Sequence, residues 1–120
     1  MREIKFRGKD YGNDWQYGCL VREVWGQYKN LMIKKDKREW AVLEDTVGQY
    51  TGLKDKNGTE IYEGDILNCG DKRIRYVVKW IDTGLSARQI NNTSYIGLIA
   101  WKNKLEVMGN IHDNPELLGE

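Results

Sequence analysis

The sequence predicts an all-β protein, and three observations carry that reading. Apolar side chains recur at every second position over most of the chain, as half-buried strands require. Turn signals fall every ten or so residues, the spacing of sandwiches and barrels. Glycine is plentiful and proline nearly absent, 13 against 1 in 120 residues, which suits many tight turns better than long helices. Five Trp and seven Tyr stand against a single Phe; rings with a polar handle fit strand surfaces and interfaces. A chain of this length is one domain, or one domain with a small appended lobe, and can bury a core without disulfides or metal.

Each element follows from its own residues. Ile4 and Phe6 alternate with Lys5 and Arg7. Trp15, Tyr17, Cys19 and Val21 share one strand face, with Gln16, Gly18 and Arg22 opposite. Residues 37–43 read as a helical turn or two, or as a strand through Trp40 and Val42. Asn57-Gly58 predicts a type I′ hairpin turn, because both residues tolerate positive φ; Leu53 and Ile61 flank it as apolar strand positions. Residues 61–67 form a strand broken by Gly64, where glycine marks a bulge or sharp bend. Ile74, Tyr76, Val78 and Trp80 share a face, with Arg73, Arg75 and Lys79 on the other. Residues 95–101 are apolar on both faces, which predicts a central strand. Residues 105–111 alternate again. Further turns are expected at 9–14, Gly26-Gln27, 68–72, 82–84 and 102–104. At the end Asn114 is a good N-cap, Pro115 suits the first helical position and Glu116 favours the dipole, so one helical turn is expected.

The expected architecture is a small SH3-like barrel-type sheet with an N-terminal β layer and a short C-terminal helical turn. The corner signal is Glu63-Gly64-Asp65 before an apolar pair, a step that recurs in such barrels. Looser patterning before Leu43 and crisper strands after it divide the single domain, 1–120, into a β layer over 1–45 packed on a barrel-like part over 46–120.

Composition also narrows function. A net charge of +1 means that any basic patch is local. The opening residues are charged and alternating, without the apolar run of a secretory signal. The longest nearly apolar run, 95–101, is about a third of a membrane span. A cytoplasmic protein is expected, with Cys19 and Cys69 as reduced, partly buried thiols; their even number also permits a disulfide. The one histidine, His112, lies beside the terminal turn, and the two serines, Ser86 and Ser94, lie outside any nucleophile-elbow pattern. No Cys/His spacing fits zinc, and no glycine-rich phosphate loop opens a helix. Glu60, Glu63 and Asp65 are close in sequence. Glu63 and Asp65 could share a strand face as an acid–base pair, or Asp65 could bond local N–H groups at a corner. The expectation is no enzyme, no metal and no cofactor.

Three stretches carry a family resemblance. Residues 46–66 run Thr-Val-Gly-Gln-Tyr-Thr-Gly-Leu-Lys-Asp-Lys-Asn-Gly-Thr-Glu-Ile-Tyr-Glu-Gly-Asp-Ile, the chain opens Arg2-Glu3-Ile4-Lys5-Phe6-Arg7, and residues 107–118 run Val-Met-Gly-Asn-Ile-His-Asp-Asn-Pro-Glu-Leu-Leu. Together they resemble the YopX-like family of phage and prophage proteins. The resemblance implies a small, mainly β protein encoded by phages or integrated prophages, and it brings no catalytic residue or cofactor with it.

Two surfaces are candidates for binding. In the central block Gln49, Tyr50, Thr51, Lys54, Tyr62, Glu63 and Asp65 either line a binding site or belong to a structural hairpin and corner. Lys34, Lys35, Lys37, Arg38 and Trp40, with Arg73, Arg75 and Lys79, could form a cationic, aromatic surface for single-stranded nucleic acid, joined by Trp25 and Tyr28. They could equally be solvated faces that guard sheet edges. The leading expectation is a protein-interaction module whose partner is a phage or host protein, and which itself forms a homo-oligomer. The aromatic residues supply interface anchors. Nucleic-acid binding is the alternative.

Overall fold

Period-two patterning becomes strand along most of the chain. The computed structural model describes residues 4–25, 28–81, 84–90, 95–101 and 103–119. Arg2, Glu3, the turn at Gly26-Gln27, residues 82–83, Ser94 and Lys102 lie outside the described residues, as do the side chains of Trp25 and Tyr28. The protein is mainly β, and among the described residues helical structure is limited to single 3-10 turns. It divides into two compact units, Met1–Tyr50 and Thr51–Glu120.

The first unit holds β1 (Phe6–Lys9), β2 (Trp15–Trp25), β3 (Tyr28–Lys35), β4 (Arg38–Ala41) and the start of β5 (Gly48–Lys54). They pair antiparallel in the order β4-β3-β2-β1-β5. Asp10 builds the β1–β2 turn. Its carboxylate accepts the N–H groups of Gly12 and Asp14 at 2.9 and 3.0 Å and the Gln16 amide at 3.0 Å. The Asp14 and Gln16 bonds hold this carboxyl below its ordinary range. The β3–β4 turn is the two residues Asp36-Lys37, between Lys35 and its partner Arg38. Asp36 takes φ 56°, the left-handed conformation that tight hairpins use. Strand therefore prevails over helix at 38–41, where Ile33 faces Trp40 across the pair.

Burial in this unit departs from the alternation. Ile4 is 70% exposed, whereas Arg7 and Lys9 are 6% and 8% exposed. Tyr17 and Cys19, expected on a core face, are exposed, and Trp15 is half-buried. The register explains this. Arg7 lies opposite Tyr17 and Lys9 opposite Trp15, so two cations share the aromatic face. The Arg7 guanidinium sits 4.6 Å from the Trp15 ring and the Lys9 ammonium 5.5 Å. Long cationic stems thus cover the Trp15 ring.

The second unit holds the rest of β5, then β6 (Glu60–Tyr62), β7 (Asp65–Asn68), β8 (Tyr76–Ile81), β9 (Gly84–Gln89), β10 (Tyr95–Gly97) and β11 (Glu106–Asn110). β5 lies beside β6, and the other strands form an antiparallel sheet in the order β10-β9-β8-β7-β11. Its core is Ile61, Leu67, Val78, Ala87, Leu98 and Leu105. Each large member contributes about 1.5–3 kcal/mol of burial. The sheets are open, each ending in edge strands, and do not close into the expected barrel.

Two strand expectations are corrected here. β8 begins at Tyr76, so Arg73 and the exposed Ile74 belong to the preceding turn. The stretch 95–101 is not a central strand. β10 is three residues at the sheet edge, followed by a 3-10 turn at Ile99–Trp101. Leu98 is buried there, at 1% exposure, while Ile99 is 76% exposed. Gly97 has no side chain to hold the strand, and the Trp101 N–H donates to the Leu98 carbonyl at 3.1 Å, which turns the chain.

The terminal turn, Pro115–Leu117, forms as expected, but the Asn114 side chain does not cap it. Its carbonyl oxygen instead accepts the Asn110 N–H at 3.1 Å. Glycine at 109 permits this, since a Cβ there would run into the Asn114 amide.

Candidate functional site

Residues 51–66 of the central block and the terminal stretch form one polar corner of the second unit. Asp55 organises it. Its Oδ1 accepts the N–H groups of Asn57 and Thr59, both at 2.9 Å, and its Oδ2 accepts the Val107 N–H at 2.9 Å. The Lys56 N–H donates to the Leu105 carbonyl at 2.9 Å. The hairpin is therefore clamped to β11 by one buried carboxylate and one main-chain bond. Its turn is not type I′. Gly58 has φ 85° but Asn57 does not have positive φ. The Gly58 N–H closes the turn on the Asp55 carbonyl at 3.0 Å, so a left-handed glycine follows an ordinary turn. Asp55 dictates this form because its carboxylate captures the Asn57 N–H, an Asx turn.

Gly64 makes the second bend, between β6 and β7, with φ 93°. Its N–H donates to the Val78 carbonyl at 3.1 Å, and its carbonyl accepts the Ile111 N–H at 3.0 Å. Asp65, 2% exposed, accepts the Tyr62 N–H at 2.7 Å. Asp65 thus accepts a local N–H, as the corner reading expects. Among the described residues no group of three His, Cys, Asp or Glu is placed to hold a metal.

The remaining block residues are placed as follows. Gln49 pairs with Phe6 in the β1–β5 ladder. Tyr50 is buried with the Lys5 ammonium 5.1 Å from its ring. Thr51 is buried and its hydroxyl accepts the Leu53 N–H at 3.1 Å. The Tyr62 ring is buried, and its hydroxyl donates to Glu60 at 3.0 Å. Glu63 is half-buried in the turn, and Lys54 is exposed.

Several partners in this corner escaped the sequence reading. Glu106 accepts the Asn68 amide at 3.2 Å and pairs with Lys56 at 3.9 Å. The Asn68 bond leads the causes that hold its carboxyl below the usual range. Asn110 Oδ1 accepts the N–H groups of His112 and Asp113, both at 2.9 Å. The available signal was an asparagine just before a polar turn, the Asx pattern.

The cations do not gather on one strand face. Lys34 lies 3.3 Å from both Glu23 and Glu39, and these bonds raise its pKa. Lys35, Lys37 and Arg38 are exposed at the β3–β4 tip, and Trp40 is half-buried behind them. In the second unit Arg73 pairs with Asp71 at 3.0 Å. Arg75 reaches the Leu117 carbonyl at 3.0 Å. Lys79 alone of the three is exposed on β8 itself.

Large apolar groups do reach solvent. Trp80, Tyr95, Ile99 and Trp101 of the second unit are 36%, 47%, 76% and 39% exposed. Cys19 and Cys69 are free; Cys19 is exposed, against expectation, and partial burial pushes the Cys69 thiol up.

Fold and corner define a small, mainly β protein built on two antiparallel sheets. A family model described as YopX protein matches residues 5–119, and the chain belongs to that family. Among solved structures it is similar to the crystal structure of protein EF1440 from Enterococcus faecalis. That likeness has 24% identity and a TM-score of 0.58, over 98% of this chain and 99% of that one, and it shows the fold. No curated protein matches the chain. No helix among the described residues is long and apolar enough to cross a membrane.

Proposed function

We infer that this YopX-family chain is a non-enzymatic protein-interaction module of phage or prophage origin, working in the cytoplasm of a bacterial host. The observation that carries the reading is the run of exposed apolar groups, Tyr95, Ile99 and Trp101, at one edge of the second sheet. Aromatic and aliphatic anchors of this kind supply most of the energy in protein interfaces. The partner is a phage or host protein, and self-association belongs to the same reading.

Affinity capture of the tagged chain from infected cells tests it, with and without nuclease and beside an Ile99→Asp variant. The expected result is a partner that survives nuclease and is lost with Ile99→Asp. Capture that depends on nucleic acid would replace this reading with the nucleic-acid one. Light scattering behind a sizing column is expected to give a mass above that of one chain.

A further inference from the structure

We propose that Asn57 is a site of spontaneous deamidation, and that its isoaspartyl product releases the clamp between the 55–59 hairpin and β11. Asn57-Gly58 is the one Asn-Gly pair in the sequence. Asn57 is exposed, and a side chain built on Gly58 would meet nothing within 4 Å. Glycine presents the least crowded main-chain nitrogen to the preceding side chain. The Gly58 nitrogen attacks Cγ of Asn57, its proton passes to solvent, and the amide nitrogen leaves as ammonia. Water then opens the cyclic imide at either carbonyl, to aspartate or isoaspartate. The Gly58 N–H must first leave the Asp55 carbonyl; that bond lies at an exposed hairpin tip, where local opening costs least.

The surroundings give the modification a consequence. The aspartyl product puts a new carboxylate on the hairpin whose Lys56 ammonium pairs with Glu106 at 3.9 Å. Isoaspartate also inserts one extra atom into the main chain between the N–H groups of residues 57 and 59. Both are held on Asp55 Oδ1 and cannot then keep one acceptor. The same carboxylate holds Val107 through Oδ2, so the strain is passed to β11.

The test incubates the folded chain at neutral pH and follows peptides by mass. The expected result is a gain of about one dalton at Asn57, while the exposed Asn13, Asn30 and Asn103 stay unchanged. Gly58→Ala should slow the gain several-fold. Asn57→Gln, whose side chain would have to close a larger ring, should abolish it and keep the fold. Hydrogen exchange at the Val107 amide should be faster in the isoaspartyl fraction than in fresh protein. A gain at Asn57 no faster than at the other three asparagines overturns the site. Unchanged Val107 exchange in that fraction overturns the release of the clamp.

Discussion

Among the described residues, Met1–Tyr50 buries Ile33, Val42 and Tyr50 beside Arg7, Lys9 and Thr46, whereas Thr51–Glu120 buries a continuous cluster from Ile61 through Leu105. The first set leans on cations over aromatic rings, with Arg7 and Lys9 at Trp15 and Lys5 at Tyr50. The second is an aliphatic core with buried carboxylates at its hairpin and bend. The contrast separates two ways of covering a β-sheet. Aliphatic burial scales with area removed from water, while a cation over a ring adds about 0.5–2 kcal/mol through the ring's quadrupole.

The largest effect that sharpens this contrast is expected at Leu67, which is fully buried in the second unit. Leu67→Ala should cost about 2–5 kcal/mol in urea denaturation, through lost transfer energy and a residual cavity. A cost below about 1 kcal/mol, the scale of a surface change, would break the aliphatic-core account.

Next comes Gly64, at φ 93°. Gly64→Val should destabilise by about 1–3 kcal/mol, because a β-branched residue is strained there. A variant that melts with the parent would show that the bend adapts.

A smaller effect is expected at Trp15. Trp15→Leu removes the ring under both Arg7 and Lys9, and should cost about 1–2 kcal/mol, falling little in high salt because the stems are covered. A loss as large as that of Leu67→Ala would erase the distinction between the two regions.

The smallest is a pH effect at Glu106, whose carboxyl is held low first by Asn68. A lowered folded pKa contributes stability above the unfolded value, near 4.3, which is lost as pH falls through the folded one. Acid titration of stability should therefore be shallower below about pH 4.5 in Glu106→Gln than in the parent. Identical slopes would show that the Asn68 and Lys56 contacts of Glu106 add nothing to stability.

Much of this was legible in residue order. Alternation located β1, β2, β8 and β11, though not β3 or β9, while Asn57-Gly58 located a hairpin and Gly64 a bend, because these signals are local: side-chain period and φ preference act within a few residues. The candidate sites were less legible. Arg73, Arg75 and Lys79 alternate on paper, but the strand starts after Arg73, which turns back to Asp71. Lys34 looks like part of a basic run until the register sets Glu39 across from it.

The sequence by itself determined the β class, the sites of several turns and the family, since period, glycine placement and the central block are all written in short stretches. Tertiary structure alone decided which of those faces are covered. Arg7 and Lys9 are buried because β1 pairs with β2 in one register, and 95–101 is an edge because its strand stops at Gly97. The Asp55 to Val107 bond joins groups 52 positions apart. Burial and charge pairing depend on such long-range registers, and a pattern of period two is the same whichever neighbour it meets.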